Sequence, residues 1–207
     1  MPVEKKQALI VVDLQNDFCP GGTLAVAQGD EVVEPLNRLI DEFLAKGAPV
    51  FKTRDWHPPT TKHFEKYGGV WPVHCVQNTR GAEFHPRLRD DPRIHIISKG
   101  LEDTDCYSGF DETDLADQLR LNGVEEVFIG GLTTDYCVKS TALDALKNGF
   151  SVKVLKDAIK PVNLQPGDGE RAIEEILAAG AEVVTSKSLI LPIANFQLSI
   201  DKGTKLP

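Results

Sequence analysis

The sequence of 207 residues has no long apolar segment of the kind that a membrane-spanning helix requires. Its clearest apolar run near the start, Ala8–Val12, falls far short of the roughly 20 residues that cross a bilayer. The first residues, Met1–Gln7, are polar and contain no signal-peptide core, so we expect a cytoplasmic protein. Positive charge is also scarce: 23 Lys and Arg face 31 Asp and Glu, which gives a formal net charge of −8. This balance argues against a nucleic-acid or membrane partner, because nucleic acids and anionic membranes bind clustered Lys and Arg.

Cysteine is sparse, and its spacing contains no Cys-x-x-Cys pair. The four cysteines are Cys19, Cys75, Cys106 and Cys137. Without a signal peptide they are expected to be reduced thiols. The dinucleotide fingerprint, the phosphate-binding P-loop and the Gly-x-Ser-x-Gly elbow are absent too, which removes three common enzyme signatures. The sequence leaves open whether the chain is a monomer or a homo-oligomer.

Short β-rich runs alternate with helical patterns along the chain. The predicted strands are Ala8–Val12, Pro49–Thr53, Ile94–Ser98, Val124–Ile129, Ser151–Leu155 and Glu182–Thr185. The first two predicted helices begin after Asp30 and after Asp111 or Thr113. The other two cover Thr134–Lys147 and Gly169–Ala179. This alternation predicts a doubly wound three-layer α/β/α fold with a six-stranded, mainly parallel sheet. No repeat or linker divides residues 1–207, so we expect a single domain. No role is predicted for the tail after Leu191.

Reactive residue types follow four of the predicted strands. They are Asp13, the segment Asp55-Trp56-His57, Lys99, and Cys137 within the segment 130–137. Ligands of an open α/β sheet bind beyond the carboxyl ends of the strands. We therefore expect these side chains to share one site.

Cys137 is the candidate nucleophile of that site. It is predicted near the start of a helix, where the partial positive charge lowers a thiol pKa. A carboxylate such as Asp13 could take the thiol proton, and Lys99 could stabilise the ionised forms. Taken singly, each residue has a plainer reading: Cys137 as core filler, Asp13 as a strand-end cap and Lys99 as a surface charge. Together they predict a catalytic triad.

A second cluster lies in the long irregular segment Asp55–Asp91, which is too long to be an idle connection. Its candidate metal ligands are Asp55, His57, His63 and His74. Imidazole and carboxylate groups of this kind suit one divalent metal ion, with zinc favoured and iron or manganese as alternatives. The plainer alternative is a set of scattered loop histidines.

Several of these segments resemble the nicotinamidase branch of the isochorismatase-like cysteine hydrolases. The matching segments are 12–18, Asp55-Trp56-His57-Pro58, His63-Phe64, 71–75, Lys99-Gly100, 105–110 and 131–138. The resemblance extends over roughly residues 8–185 and implies hydrolysis of nicotinamide to nicotinate and ammonia, a step in NAD salvage, with pyrazinamide as a further substrate.

The resemblance also implies roles for individual residues. It assigns the metal ligands to the four residues of the second cluster and implies a cis peptide between Leu132 and Thr133. The backbone N–H groups of Thr133 and Cys137 would then form an oxyanion hole. The aromatic residues expected to bind the substrate ring are Phe18, Trp71 and Tyr107.

Three rival functions stay open on the sequence alone. The first is another amidase of the superfamily that acts on a carbamoyl or ureido substrate and needs no histidines. The second is a vinyl-ether hydrolase like isochorismatase, which has less use for Cys137. The third is a non-catalytic domain that binds a metal or a partner, because a fold does not fix a function.

Overall fold

The computed structural model describes residues 5–103 and 105–189, so the tail after Leu191 lies outside the described residues. The strands are β1 (Gln7–Val12), β2 (Val50–Asp55), β3 (His95–Lys99), β4 (Glu126–Leu132), β5 (Ser151–Lys160) and β6 (Glu182–Val184). The α-helices are α1 (Val33–Ala45), α2 (Leu115–Leu121), α3 (Lys139–Lys147) and α4 (Asp168–Ala178). Within the described ranges, no helix is both long and apolar enough to cross a membrane.

The six strands form one parallel sheet in the order β3-β2-β1-β4-β5-β6. The chain fills one half of the sheet from β1 to β3 and then crosses to the other side of β1 to begin β4. A crevice therefore opens at the carboxyl ends of β1 and β4, which is where open α/β sheets bind ligands. Asp13 comes directly after β1, and Cys137 lies five residues after the end of β4. The fold itself thus brings these two residues to one crevice.

The sheet separates two apolar layers. On β1, Leu9 and Val11 pack into the layer that contains the buried face of α1. The alternate residues Ala8, Ile10 and Val12 pack into the opposite layer with α2, α3 and α4. This period of two along a strand buried on both faces confirms the predicted three-layer arrangement.

Most element bounds differ from the sequence prediction by a few residues, and two larger differences concern the segment that carries Cys137 and the fifth strand. The predicted helix from Thr134 begins as a π-helical turn, Thr134–Val138, before α3. The fifth strand continues to Lys160 instead of ending at Leu155, because the pairing of β4 with β5 shifts register between Ile129 and Gly131 and then resumes. The sequence did not predict this continuation, because polar residues in the middle of the strand interrupt its apolar pattern.

Gly131 is required where β4 meets β1. Its φ is +125°, and a Cβ atom there would overlap the carbonyl oxygen of Val12. Only glycine permits that approach. The close contact sets the separation between the two strands whose ends carry Asp13 and Cys137.

Candidate active site

Asp13, Lys99 and Cys137 meet in an enclosed cluster at the crevice. The Lys99 Nζ atom lies 2.9 Å from Oδ2 of Asp13 and 3.5 Å from the sulfur of Cys137. The second oxygen of Asp13 accepts a hydrogen bond from the Thr53 hydroxyl at 2.6 Å. All three cluster residues are buried. The structure thus brings together the three residues predicted as a triad.

Burial controls the protonation of this cluster. It raises the pKa of the Cys137 thiol well above its ordinary value, an effect that Lys99 opposes and the nearby carboxylates reinforce. This direction is opposite to the lowering expected from a helix N-terminus, and its largest cause is burial. Burial likewise raises the pKa of Asp13 against the opposing charge of Lys99. Burial disfavours the charged form of Lys99, but its two carboxylate neighbours keep its pKa above the ordinary value. The thiol is thus the resting form of Cys137, beside a carboxylate whose basicity is enhanced.

The π-helical turn that carries Cys137 is held from both sides. The carbonyl of Thr133 accepts hydrogen bonds from the backbone N–H groups of Tyr136 and Val138 at 3.2 and 3.0 Å. The carboxylate of Asp135 accepts from the N–H groups of residues 162 and 163 at 3.0 and 2.8 Å. The peptide between Leu132 and Thr133 is cis, as the resemblance implies. Turns of this kind often occur at functional sites.

Three of the four predicted metal ligands form a compact histidine cluster. His57, His63 and His74 each offer a ring nitrogen, and these atoms lie within 4.8 Å of one another. All three side chains are buried. Burial lowers the pKa of His63 and lowers that of His74 to about 4, so both rings are neutral at neutral pH. Neutral imidazole is the form that binds a metal ion.

The hydrogen bonds of the three rings fix which nitrogen faces the centre. Each Nδ1 atom lies beside a carbonyl or carboxylate oxygen, which accepts a hydrogen bond and cannot donate one. The partners are the Gly100 carbonyl for His57 (3.2 Å), the Asp105 carboxylate for His63 (2.6 Å) and the Pro72 carbonyl for His74 (2.7 Å). The Nδ1 atoms therefore carry the protons and the Nε2 lone pairs stay free. Among the described residues, His57 Nε2 is buried without any hydrogen-bond partner. These features fit a divalent cation.

Asp55, the fourth predicted ligand, lies between the two clusters. Its Oδ1 is 2.5 Å from Lys99 Nζ, and its Oδ2 is 3.8 Å from His57 Nε2. Burial alone would raise the Asp55 pKa, but Lys99 and the histidines hold it below its ordinary value. The side-chain amide of Gln15 fixes the backbone of Asp55: it donates to the Asp55 carbonyl at 2.7 Å and accepts from the Asp55 N–H at 2.8 Å.

A small pocket, largely apolar, opens onto both clusters. Apolar and aromatic side chains line much of it, namely Phe18, Leu24, Trp71, Tyr107, Tyr136 and Val162. The Trp71 indole N–H donates to the Tyr107 hydroxyl at 2.9 Å, and the Trp71 and Tyr136 rings meet edge to face with centroids 4.9 Å apart. His63, His74, Thr133 and Cys137 also border this space. The pocket can therefore receive a flat ring next to a thiol.

Several residues of this site were not predicted from the sequence. Tyr136 lies inside the segment 131–138, whose pattern gave a signal for it, and Asp105 begins the segment 105–110. Leu24 and Val162 come from separate loops, and nothing in their spacing indicated a place in the pocket. All three aromatic residues predicted to bind substrate do border the pocket.

The fold and the site together place the protein in a class of three-layer α/β proteins that have a buried cysteine next to a histidine cluster able to bind a metal ion. The chain belongs to the isochorismatase family, because the isochorismatase domain matches residues 7–188.

Three individual proteins are similar to this chain over most of its length. A nicotinamidase of Escherichia coli strain K12 is 42% identical over 201 residues, with 86% of this chain and 94% of the relative covered. A pyrazinamidase of Pyrococcus horikoshii, solved in complex with zinc, is 51% identical with a TM-score of 0.83, with 87% of this chain and 99% of that one covered. The L. infantum protein PnC1, solved in complex with nicotinate, is 36% identical with a TM-score of 0.81, over 89% and 94% of the two chains.

Proposed function

We propose that the protein hydrolyses nicotinamide to nicotinate and ammonia, and that it also deamidates pyrazinamide. The observation that carries this proposal is the pocket itself, where the buried thiol of Cys137, the carboxylate of Asp55 and two histidines of the cluster border one small, aromatic-lined space. An amide is a poor electrophile with a poor leaving group. A covalent route through a thioester divides one difficult reaction into two easier steps.

Asp13 begins the reaction by taking the proton from the Cys137 thiol. This transfer is needed because burial keeps the thiol protonated, and the raised pKa of Asp13 makes its carboxylate a stronger base for the step. Lys99 holds both partners in place and balances the negative charge of the ionised pair. The sulfur of Cys137 then attacks the carboxamide carbon, and the carbonyl π electrons move onto oxygen.

The resulting oxyanion needs fixed donors, and the backbone N–H groups of Thr133 and Cys137 are assigned this role. As the tetrahedral intermediate collapses, the C–N bond breaks and Asp13 returns its proton to the leaving nitrogen, so ammonia departs. Water then attacks the thioester, which releases nicotinate and restores the thiol of Cys137. The proton taken from Cys137 thus leaves with ammonia, and in the second half Asp13 takes a proton from the attacking water and passes it to the sulfur as the C–S bond breaks.

The ligands of a divalent ion would be His57, His63 and His74 with the carboxylate of Asp55. When bound, such an ion supplies a Lewis acid that holds the pyridine nitrogen and orients the ring. Zinc fits this donor set, and iron and manganese fit it as well. Phe18, Trp71 and Tyr107 would hold the ring faces and edge.

The test is to incubate the purified, metal-loaded protein with nicotinamide, pyrazinamide and N-carbamoylsarcosine in parallel, and to measure ammonia and the carboxylate product. The proposal expects nicotinate from nicotinamide at a rate well above that with the ureido substrate. Hydrolysis of the ureido substrate alone would favour the rival amidase. No ammonia from any substrate, with Cys137 inert to iodoacetamide, would favour a non-catalytic domain.

A further inference from the structure

The side chain of Thr133, a residue that borders the pocket, has a hydroxyl group without a hydrogen-bond partner among the described residues. Thr133 borders the pocket together with Cys137 and is only 6% exposed. Its Oγ1 atom is buried and has no hydrogen-bond partner among the described residues. Buried hydroxyl groups are almost always hydrogen-bonded, so an orphan next to a pocket calls for a partner that enters from outside.

The backbone of Thr133 is not free to move this hydroxyl elsewhere. Its carbonyl accepts two hydrogen bonds from the π-helical turn, and β4 ends at the preceding residue. The side chain is β-branched, which further restricts its rotation. The hydroxyl is thus held on a fixed backbone at the border of the pocket that Cys137 also lines, before any ligand binds.

The chemistry of a carboxamide indicates which ligand atom it meets. The carbonyl oxygen of the substrate accepts hydrogen bonds from the two backbone N–H groups assigned to the oxyanion hole. The amino group of the substrate has two N–H donors, and each needs an acceptor. Near Cys137, the carboxylates of Asp13 and Asp55 both pair with Lys99, and the Oδ2 atom of Asp13, which has no hydrogen bond among the described residues, can meet one of these two N–H groups. The Thr133 oxygen is an acceptor that has no present donor within the part of the chain that the structure describes.

We propose that the Thr133 hydroxyl accepts a hydrogen bond from the amino group of the substrate carboxamide and so selects amides over acyl compounds without that N–H. This inference rests on the proposed function. It makes Thr133 a specificity-determining residue through its side chain, in addition to the role assigned to its backbone.

The experiment compares Thr133→Val, which keeps the branched shape and removes the hydroxyl, with Thr133→Ser, which keeps the hydroxyl. Thr134→Val is the matched control, because the Thr134 hydroxyl is also buried without a partner among the described residues but does not border the pocket. Two readouts are used: kcat/KM for nicotinamide, and the inhibition constant of nicotinaldehyde, which has the same ring and a reactive carbonyl but no N–H.

Thr133→Val should lower kcat/KM for nicotinamide by about fivefold, the loss expected for one neutral hydrogen bond. Its inhibition by nicotinaldehyde should match the wild type, Thr133→Ser should stay well above Thr133→Val, and Thr134→Val should match the wild type. Equal losses for amide and aldehyde, or no loss for either, would overturn the inference. If Thr133→Val fails to fold in a thermal unfolding assay, Thr133→Ala is measured in its place.

The experiment distinguishes an error in the proposed function from an error in this inference. Wild-type protein that neither releases ammonia from nicotinamide nor is inhibited by nicotinaldehyde would refute the amidase itself. An active wild type whose Thr133 variants do not discriminate between the two compounds would refute only the role of the hydroxyl.

Discussion

The Nζ atom of Lys99 lies 2.5 Å from Oδ1 of Asp55, in the interior of the protein. This contact joins the two halves of the site, because Lys99 also pairs with Asp13 while Asp55 faces His57 with its other oxygen. One ammonium group therefore compensates two buried carboxylates.

Replacement of Lys99 by Met should both destabilise the fold and abolish nicotinamide hydrolysis. Removal of one partner from a buried ion pair leaves an uncompensated charge and costs about 3–5 kcal/mol. Urea denaturation measures the free energy of unfolding, and ammonia release measures activity. Lys52→Met is the matched control: Lys52 is also buried, but its partner Asp90 is 94% exposed and stays solvated without it. Equal effects of the two substitutions would contradict this role of Lys99.

The Asp105 carboxylate should contribute to metal affinity although it is not a proposed ligand. It lies 2.6 Å from Nδ1 of His63 and holds the ring with Nε2 directed at the cluster. Loss of such a supporting group typically weakens metal binding about 10–100-fold. Asp105→Asn should therefore weaken zinc binding in a competition titration with a chelator. Asp103→Asn is the control, since Asp103 pairs with the exposed Lys62, and an equal loss in both variants would contradict the role of Asp105.

Gln15 should control the position of Asp55 through the backbone. Its amide group makes three buried hydrogen bonds, two with the Asp55 backbone and one with the Ala82 carbonyl at 2.9 Å. Gln15→Leu leaves these groups unpaired, and each buried unsatisfied group costs about 1–3 kcal/mol. We expect a lower free energy of unfolding and weaker zinc binding. Asn16→Ala removes an exposed hydrogen bond from the next residue and should change neither quantity; a Gln15→Leu protein with normal zinc affinity would argue against the positioning role.

Much of the site could be predicted because the fold obeys a simple rule. Asp13, Lys99 and Cys137 lie at or just beyond the carboxyl ends of strands, and parallel strands bring those ends to the same edge of the sheet. The supporting residues obey no such rule. Asp105 lies 42 positions from His63 and Gln15 lies 40 from Asp55, and only the folded loops bring these pairs together.

The direction of the Cys137 pKa shift shows a different limit. Its place in the sequence indicated a helix N-terminus, which favours thiolate, but the shift depends on how completely the surrounding side chains exclude water. That quantity belongs to the packed structure. The π-helical turn could not be predicted from the sequence either, since its residues have ordinary helical spacing.

Removal of the metal should act mainly on substrate binding. The histidine cluster borders the ring pocket, whereas the thiol and its base lie in the neighbouring cluster, so chelated protein should show a raised KM for nicotinamide with a smaller change in kcat. Steady-state kinetics before chelation, after chelation and after zinc is restored provide the check. Chelated protein with an unchanged KM would contradict the assignment of His57, His63 and His74.

The most direct test of the proposed mechanism is ammonia release from nicotinamide by Cys137→Ala protein, measured beside its thermal unfolding and its zinc content. We predict complete loss of ammonia release with unfolding temperature and zinc content preserved, because Cys137 supplies the attacking sulfur and none of the metal ligands. A Cys137→Ala protein that still produces nicotinate and ammonia at the wild-type rate would contradict the central claim.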